Sequence, residues 1–472
     1  MINPIHKVFS KNKIALVIFF LLLIALRLVY VFTVPLRGDE KEFIAVAEEI
    51  KFGANSYIPL KHSLIKHPLL SVYAIKVGMI FFGRNYFGFR FFSFLAGILT
   101  LIIIFQFIKK EKGERVAVWG LILLGFNQYH IGRSGFSTTS SLLLLFSIIS
   151  MYLFWYGIEN KKKYLFVLSG ISLSFGFYVK EAVLGLLFCF LIFYFLYLIE
   201  KKIKWTLIFY ALTPFIILTS VYTIKFFTKG SLIRLFDKNF LWNLQLNLSG
   251  LKFYLIRAIE LFKGVDYKNF ISWEIPTMSL IGGVILLAGS FYAIYKFRDK
   301  ITFFMGTIFI TYIFLVSILQ RAQFYWPEIS LIPAVFLASC SIARISKAKN
   351  IFIILIALIL FVNSVVFIIN TSFLYPPRRY SNFVDYDIDL MKWYYETGKI
   401  KMAIKEAEEA LTICSNEVRI LNLMGVFQAS QGNLEKAKYY FKKSLFFNEN
   451  FDPAKKNLEI IQSMNLKKRY EY

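Results

Sequence analysis

Ile14-Ala-Leu-Val-Ile-Phe-Phe-Leu-Leu-Leu-Ile-Ala-Leu-Arg27-Leu-Val-Tyr-Val-Phe-Thr-Val34 decides what kind of protein this is. A helix of about 20 apolar residues crosses the roughly 30 Å hydrocarbon layer of a bilayer. The run follows a basic stretch (Lys7, Lys11, Lys13) and is longer than the core of a cleavable signal peptide, so it is expected to remain as a first span. Comparable runs follow near 91–108, 116–132, 137–157, 164–180, 182–199, 205–225, 277–295, 301–319, 325–343 and 350–372, which makes about eleven spans. Composition agrees. Of 472 residues 57% are hydrophobic, with 53 Phe and 28 Tyr, and one soluble core cannot bury that much apolar surface, so the excess faces lipid.

A formal net charge of +26 would suggest nucleic acid in a soluble protein, but the Lys and Arg residues cluster in short segments between apolar runs. That distribution is a topology signal and excludes nucleic acid as the partner. The segment Leu69 to Gly83 is apolar but short and contains Lys76, so it is expected to lie along the membrane surface. With it left out, the N-terminus and the loops at 109–115, 161–163, 201–204, 296–300 and 344–349 all fall on one side, which the positive-inside rule makes cytoplasmic. The long loops at about 35–90 and 226–276 are then extracytoplasmic, as is the C-terminus after an odd number of spans. Cys189, Cys340 and Cys414 are far apart and form neither a disulfide framework nor a metal-spaced set, so no cofactor is implied and a divalent metal is not indicated.

From about residue 384 the chain turns polar and repeats at a period of 34: Gly398 with Gly432, Ala403 with Ala437, Leu411 with Leu445. This is the spacing of tetratricopeptide repeats, in which Gly closes the turn between two helices and Ala lets them approach. The second copy carries more of the pattern (Gly425, Gly432, Ala437, Phe441), and the first has Met391 where the early Gly belongs. Residues 452–464 read as a capping helix. The expected fold is therefore all-α: a polytopic membrane domain over 1–375 and a tetratricopeptide repeat domain over 384–467, available to an unknown protein partner.

The groups that can carry chemistry gather at the expected outer level. Arg37-Gly38-Asp39-Glu40 opens the first outer loop and leads into an amphipathic helix with Phe43, Val46, Ala47 and Ile50 on one face. Asp39 with Glu42 also fits an Asp-initiated capping box, and capping does not exclude catalysis. Lys66-His67-Pro68-Leu69 follows, read either as a Pro-started helix with basic residues at the headgroups or as part of a site. Arg133 stands at the outer end of the third run and Lys180-Glu181 between the fifth and sixth. Each cation is either snorkelling to the interface or functional. Arg321, Tyr325 and Glu328 occupy the same level. A mixed-charge set of this kind suits sugar transfer from a lipid phosphate, in which a base takes the acceptor proton and cations hold the departing phosphate.

The order of these features resembles the GT-C superfamily of membrane glycosyltransferases, particularly relatives of protein O-mannosyltransferases and of the aminoarabinose transferase acting on lipid A. The resemblance covers about residues 10–370. It rests on Asp39-Glu40, Lys66-His67-Pro68-Leu69, Arg90-Phe-Phe-Ser-Phe-Leu-Ala-Gly97, Arg133, Gly176-Phe-Tyr-Val-Lys180, and Tyr325-Trp-Pro327 with Pro333. It implies a polyprenyl-phosphate sugar donor and Asp39 as base with Glu40 beside it. Arg133 and Lys180 are expected as phosphate ligands, with Arg321 as a third, since the cation the pattern places just before Tyr325 is Phe324 here and Arg321 stands three residues earlier. Lys66, His67, Tyr325 and Glu328 are expected as acceptor or loop support. The acid that the pattern places five residues past Arg133 is Thr138 here. An O-antigen ligase or polymerase would instead rely on cations of the late outer loop such as Arg234 or Arg257. A lipid-linked sugar flippase or transporter would need charges at mid-bilayer and broken helices at matching places in two halves, whereas only Arg27 lies well inside a run.

Overall fold

The computed structural model describes residues 13–34, 36, 39–50, 70–199, 204–228, 280–318, 326–345, 350–372, 381–413 and 415–470, and every regular element among them is helical. In chain order the helices are α1 (Lys13–Thr33), α2 (Asp39–Glu49), α3 (Leu70–Phe82), α4 (Tyr86–Lys112), α5 (Glu114–Gly125), α6 (Gln128–Ser134), α7 (Ser140–Asn160), α8 (Lys163–Val179), α9 (Val183–Ile199), α10 (Phe209–Thr228), α11 (Leu280–Lys296), α12 (Lys300–Ile318), α13 (Trp326–Ile345), α14 (Asn350–Ser372), α15 (Ser381–Glu396), α16 (Ile400–Ile413), α17 (Val418–Ser430), α18 (Leu434–Phe447) and α19 (Asp452–Tyr470). They fall into two compact units, residues 1–35 with 67–373 and residues 36–66 with 374–472.

The first unit is the membrane part. Among the described residues α1, α4 and α7 are long and apolar enough to cross a membrane, and eight shorter apolar helices accompany them. Helices that are apolar all round need some other means of recognising each other, since lipid is as apolar as Leu. Small and hydroxyl side chains supply it. Ser150 of α7 and Ser169 of α8 approach to 2.9 Å at their Oγ atoms and each donates to the other's carbonyl. Gly170 brings α8 so close to α10 that an added Cβ would lie 2.1 Å from the Ala211 carbonyl oxygen. Aromatic rings fill the interior, with Phe154 stacked on Phe190 at 4.2 Å and Phe304 of α12 against both.

Several basic loops meet at one end of this unit. Lys112, ending α4, pairs with Asp299 at 2.6 Å, and Lys300 pairs with Glu159, beside the 161–163 loop, at 3.6 Å. Arg344, near the end of α13, lies over the Phe297 ring. α3 has only 13 residues, about 20 Å of helix, short of the hydrocarbon thickness. It packs against the start of α4 through Gly78, whose added Cβ would meet the Gly88 carbonyl oxygen at 2.2 Å, and through Phe82 on Phe91.

The run expected as one span over 116–132 is instead two helices, α5 and α6, separated at Phe126-Asn127. The sequence carries a mark of this break, since Asn127, Gln128 and His130 interrupt the apolar run, but a span-length window passes straight through them. Asn127 makes it: its Oδ1 accepts from the His130 backbone N–H at 3.0 Å and starts a new helix there.

The second unit contains α15 to α19 and, from the far end of the sequence, α2. The turns after α15 and α17 each contain a glycine with positive φ, Gly398 at +77° and Gly432 at +78°, and these stand 34 residues apart. Ala403 and Ala437 are fully buried, and Gly425 lets the Phe441 ring lie where a Cβ would be, 2.4 Å away. The sequence reading grouped residues 35–90 with the membrane domain, whereas α2 belongs to this unit. The reason is its apolar surface: Phe43, Val46, Ala47 and Ile50 are all buried, and so are Ile44 and Ala45.

Candidate functional site

In the first unit the site is built around the short helix α6. A buried helix break frees backbone groups that need partners within the protein. Ser364 of α14 donates to the Phe126 carbonyl at 2.6 Å, and Gln128 Nε2 donates to the Asn363 carbonyl at 3.0 Å. Arg27 of α1, fully buried, donates to the carbonyls of Leu23 at 2.9 Å and Gly125 at 3.2 Å, and its Nη2 lies 2.7 Å from His130 Nδ1. Since a guanidinium only donates, Nδ1 accepts and the imidazole proton sits on Nε2. Arg27 is therefore a staple across the break.

This framework holds Arg133. Its side chain is buried, its guanidinium lies 5.2 Å from the centre of the Tyr129 ring, and its carbonyl accepts from Ser141 Oγ at 2.8 Å. Ser134 Oγ donates back to the His130 carbonyl at 2.5 Å, and α4 comes close to it only because residue 97 is glycine. Thr138, at the place where the resemblance has an acid, is buried.

Lys180 follows α8 with extended backbone, its N–H bonded to the Gly176 carbonyl at 2.8 Å. Its side chain is buried, beside the half-buried Glu181. Arg133 is 6% and Lys180 4% exposed, so neither is a cation snorkelling to the aqueous interface. Charged groups held inside a membrane protein carry a large cost and need protein partners or a ligand to offset it. Arg90, also fully buried, donates to the carbonyls of Val31 and Val34, both at 2.7 Å, and so closes the end of α1 just before the loop that carries Asp39.

In the second unit α2 begins at Asp39, whose side chain lies outside the described residues. Glu40 is fully buried. Lys41 Nζ contacts Asp387 Oδ1 of α15 at 3.4 Å and makes a short contact with Glu406 of α16. Burial works against the Lys41 charge, but the Glu406 and Asp387 carboxylates more than offset it and hold the ammonium above its ordinary range. Both carboxyls are pushed up as well, first by desolvation, which Lys41 offsets only in part. The two directions pull against each other because two acids share one base. At the other end of the helix Glu49 pairs with Lys399 at 2.6 Å.

Lys66, His67, Arg321 and Tyr325 lie outside the described residues, as do Arg234, Arg257 and Cys414. Glu328 is the third residue of α13, with its side chain likewise outside them. Arg27, Asn127 and His130 are the residues that sequence reasoning passed over or left without a role. Their one signal was polarity inside an apolar run.

Residues 66–224 match the family model described as dolichyl-phosphate-mannose-protein mannosyltransferase, a stretch that includes Lys66, His67, Arg133 and Lys180. No curated protein matches the chain. Among solved structures it is similar to ArnT from Cupriavidus metallidurans. The crystal structure of that protein bound to undecaprenyl phosphate aligns with a TM-score of 0.55 and 16% identity, covering 92% of this chain and 76% of that one. The apo structure aligns with a TM-score of 0.53 and 15% identity, covering 92% and 75%. The chain thus shares the ArnT fold over most of its length, and the family match lies almost wholly inside the membrane part.

Proposed function

We propose that this protein transfers a sugar from a polyprenyl-phosphate donor to a lipid, glycan or protein acceptor on the outer face of the cytoplasmic membrane. The observation that carries this reading is the burial of Arg133 and Lys180, two cations besides the carbonyl-bound Arg90, inside the stretch that matches a lipid-phosphate-dependent mannosyltransferase model. ArnT, whose fold the chain shares, binds undecaprenyl phosphate, an anion of the kind such cations suit.

The acceptor hydroxyl attacks the anomeric carbon as Asp39 takes its proton. The bond from that carbon to the phosphate oxygen breaks, and the polyprenyl phosphate leaves with the electron pair and the added negative charge, so the configuration inverts. Arg133, Lys180 and Arg321 stabilise that charge where it develops. Phosphate is a good leaving group and requires no acid behind it. Glu40, Lys66, His67, Tyr325 and Glu328 support the acceptor or the loops.

Eleven spans, a cytoplasmic N-terminus and an extracytoplasmic C-terminal domain of two tetratricopeptide repeats over about 384–467 complete the reading. Membership of α2 and α15 to α19 in one compact unit supports it, since ten spans between them return the chain to the same side. Incubating purified protein with a panel of polyprenyl-phosphate sugars and assaying released lipid phosphate tests the proposal. No release with any donor counts against it.

A further inference from the structure

α2 is held at both of its ends by charges of opposite sign. Near its start, Lys41 lies between Asp387 of α15 and Glu406 of α16, with only 20% of its side chain exposed. At its last residue, Glu49 receives Lys399 from the turn between those same two helices. The two anchors are eight residues apart, about 12 Å along the axis. Reversing the helix would bring Glu49 against Asp387 and Glu406 and Lys41 against Lys399, and shifting it along its axis by one turn toward its N-terminal end would set Ile44 or Ala45 beside the two carboxyls. The buried residues Phe43, Val46 and Ala47 supply adhesion without direction, and the ion pairs supply register.

We infer that the C-terminal helical unit acts in cis as a clamp on α2, with Lys41, Glu49, Asp387, Lys399 and Glu406 as positioning residues for the helix that opens with Asp39 and Glu40. The inference rests on the proposed role of Asp39 for its catalytic meaning. It gives the C-terminal helices a task inside this chain in addition to any partner they bind.

The test uses full-length protein in detergent or nanodiscs and reads amide hydrogen exchange by mass spectrometry. In Lys41→Met, exchange of the amides at 42–50 rises by about ten-fold or more while those of α17 keep the protection of the parent, and Lys41→Arg stays near the parent. Glu49→Lys alone loosens α2, and Glu49→Lys with Lys399→Glu restores it. Unchanged exchange over 42–50 in Lys41→Met overturns the clamp. So does equal loss of protection in α2 and α17, since that is unfolding of the unit rather than release of one helix. Lipid-phosphate release from the donor panel separates this inference from the reading beneath it. The clamp predicts that Lys41→Met lowers kcat by about ten-fold with donor KM within about two-fold of the parent. If α2 loosens in Lys41→Met while Asp39→Asn still transfers, the clamp stands and the catalytic assignment falls. If Asp39→Asn is inactive and Lys41→Met exchanges and turns over like the parent, the assignment stands and the clamp falls.

Discussion

Arg27 of α1 and His130 of α6, 103 positions apart, meet at 2.7 Å between Nη2 and Nδ1 in the interior of the first unit. The same guanidinium serves the Gly125 carbonyl, which the break between α5 and α6 leaves open. Arg27→Met would strand that carbonyl and the imidazole nitrogen, at about 1–3 kcal/mol for each buried group left unmade. Lys in this place has a point charge where a planar fork is needed, so Arg27→Lys should recover only part of the loss. Thermal unfolding in detergent measures both. An unchanged midpoint in Arg27→Met would remove Arg27 from the account of the break.

Asp39→Asn should abolish transfer while the protein still inserts, because the amide keeps much of the capping ability and loses the base. Glu40→Gln should hurt less. Arg133→Ala and Lys180→Ala should raise donor KM more than acceptor KM, read by donor titration at saturating acceptor. If neither variant alters donor dependence, the phosphate site lies elsewhere.

The Lys41 cluster predicts an asymmetry between its members. Lys41→Met leaves two buried carboxyls without a cation and should weaken the docking of α2 by about 3 kcal/mol or more, whereas Asp387→Asn relieves the repulsion between them and should cost under about 1 kcal/mol or stabilise. The pH sign follows from the raised carboxyls: the folded state binds their protons more tightly than the unfolded chain does. The contribution of Asp387 and Glu406 to stability therefore grows as pH falls from neutrality toward the ordinary carboxylate range near about 4. The contribution of Lys41, whose folded pKa is raised, is complete below its ordinary value of 10.5 and disappears as pH rises past the folded one. Tyr394 and Glu409 also act on this cluster, so the stability profile should be taken in the Glu409→Gln background too. Unfolding followed between pH 5 and 8 by a probe in the second unit checks the slope, which should flatten in Asp387→Asn.

Gly97 tests how α4 and α6 fit together. An added Cβ would sit 2.1 Å from Ser134 Oγ and 2.6 Å from Ser134 Cβ, so Gly97→Ala should cost about 1–3 kcal/mol. Ser134→Gly removes both obstructing atoms, and the double variant should be more stable than the sum of the two singles implies. Additive losses would mean that α6 gives way instead.

Topology is open to a direct assay. Alkaline phosphatase, active only outside the cytoplasm, should be active when fused after Tyr375 and silent when fused after Gly113. Because α2 and α15 share one compact unit, a fusion after Ile50 should report the same side as the one after Tyr375. Opposite signals from those two fusions would contradict the shared unit.

Hydropathy was enough to read the apolar helices, because a 20-residue window responds to composition alone. The basic loops told the same story from charge, and Lys112 with Asp299 shows two of them meeting. Gly398 and Gly432 were legible by their 34-residue spacing, and both take the left-handed backbone that such turns require. The α5–α6 break was legible only in part: Asn127, Gln128 and His130 lower the hydropathy there, but a span-length window averages them with the apolar residues before them, and the side-chain bond from Asn127 that starts α6 has no signature in composition. Arg27 was noticed as an anomaly, but its partners lie about a hundred positions away and nothing local names them. The face of α2 was legible as amphipathic, although what it would cover was not. A periodic pattern specifies that a helix must be buried and leaves open against what.

The Lys41 contacts to Asp387 and Glu406 join residues 346 and 365 positions apart, and that distance is also an interval of time. At about 5–20 residues per second, roughly 20 to 70 seconds separate the synthesis of α2 from that of its partners. Throughout that interval the nascent chain carries Glu40 and the apolar residues of α2 with nothing from α15 and α16 to cover them. A chain that stalls anywhere in between never completes its second unit, so closure of α2 reports that translation has run past residue 406 and brought both helices to the same side.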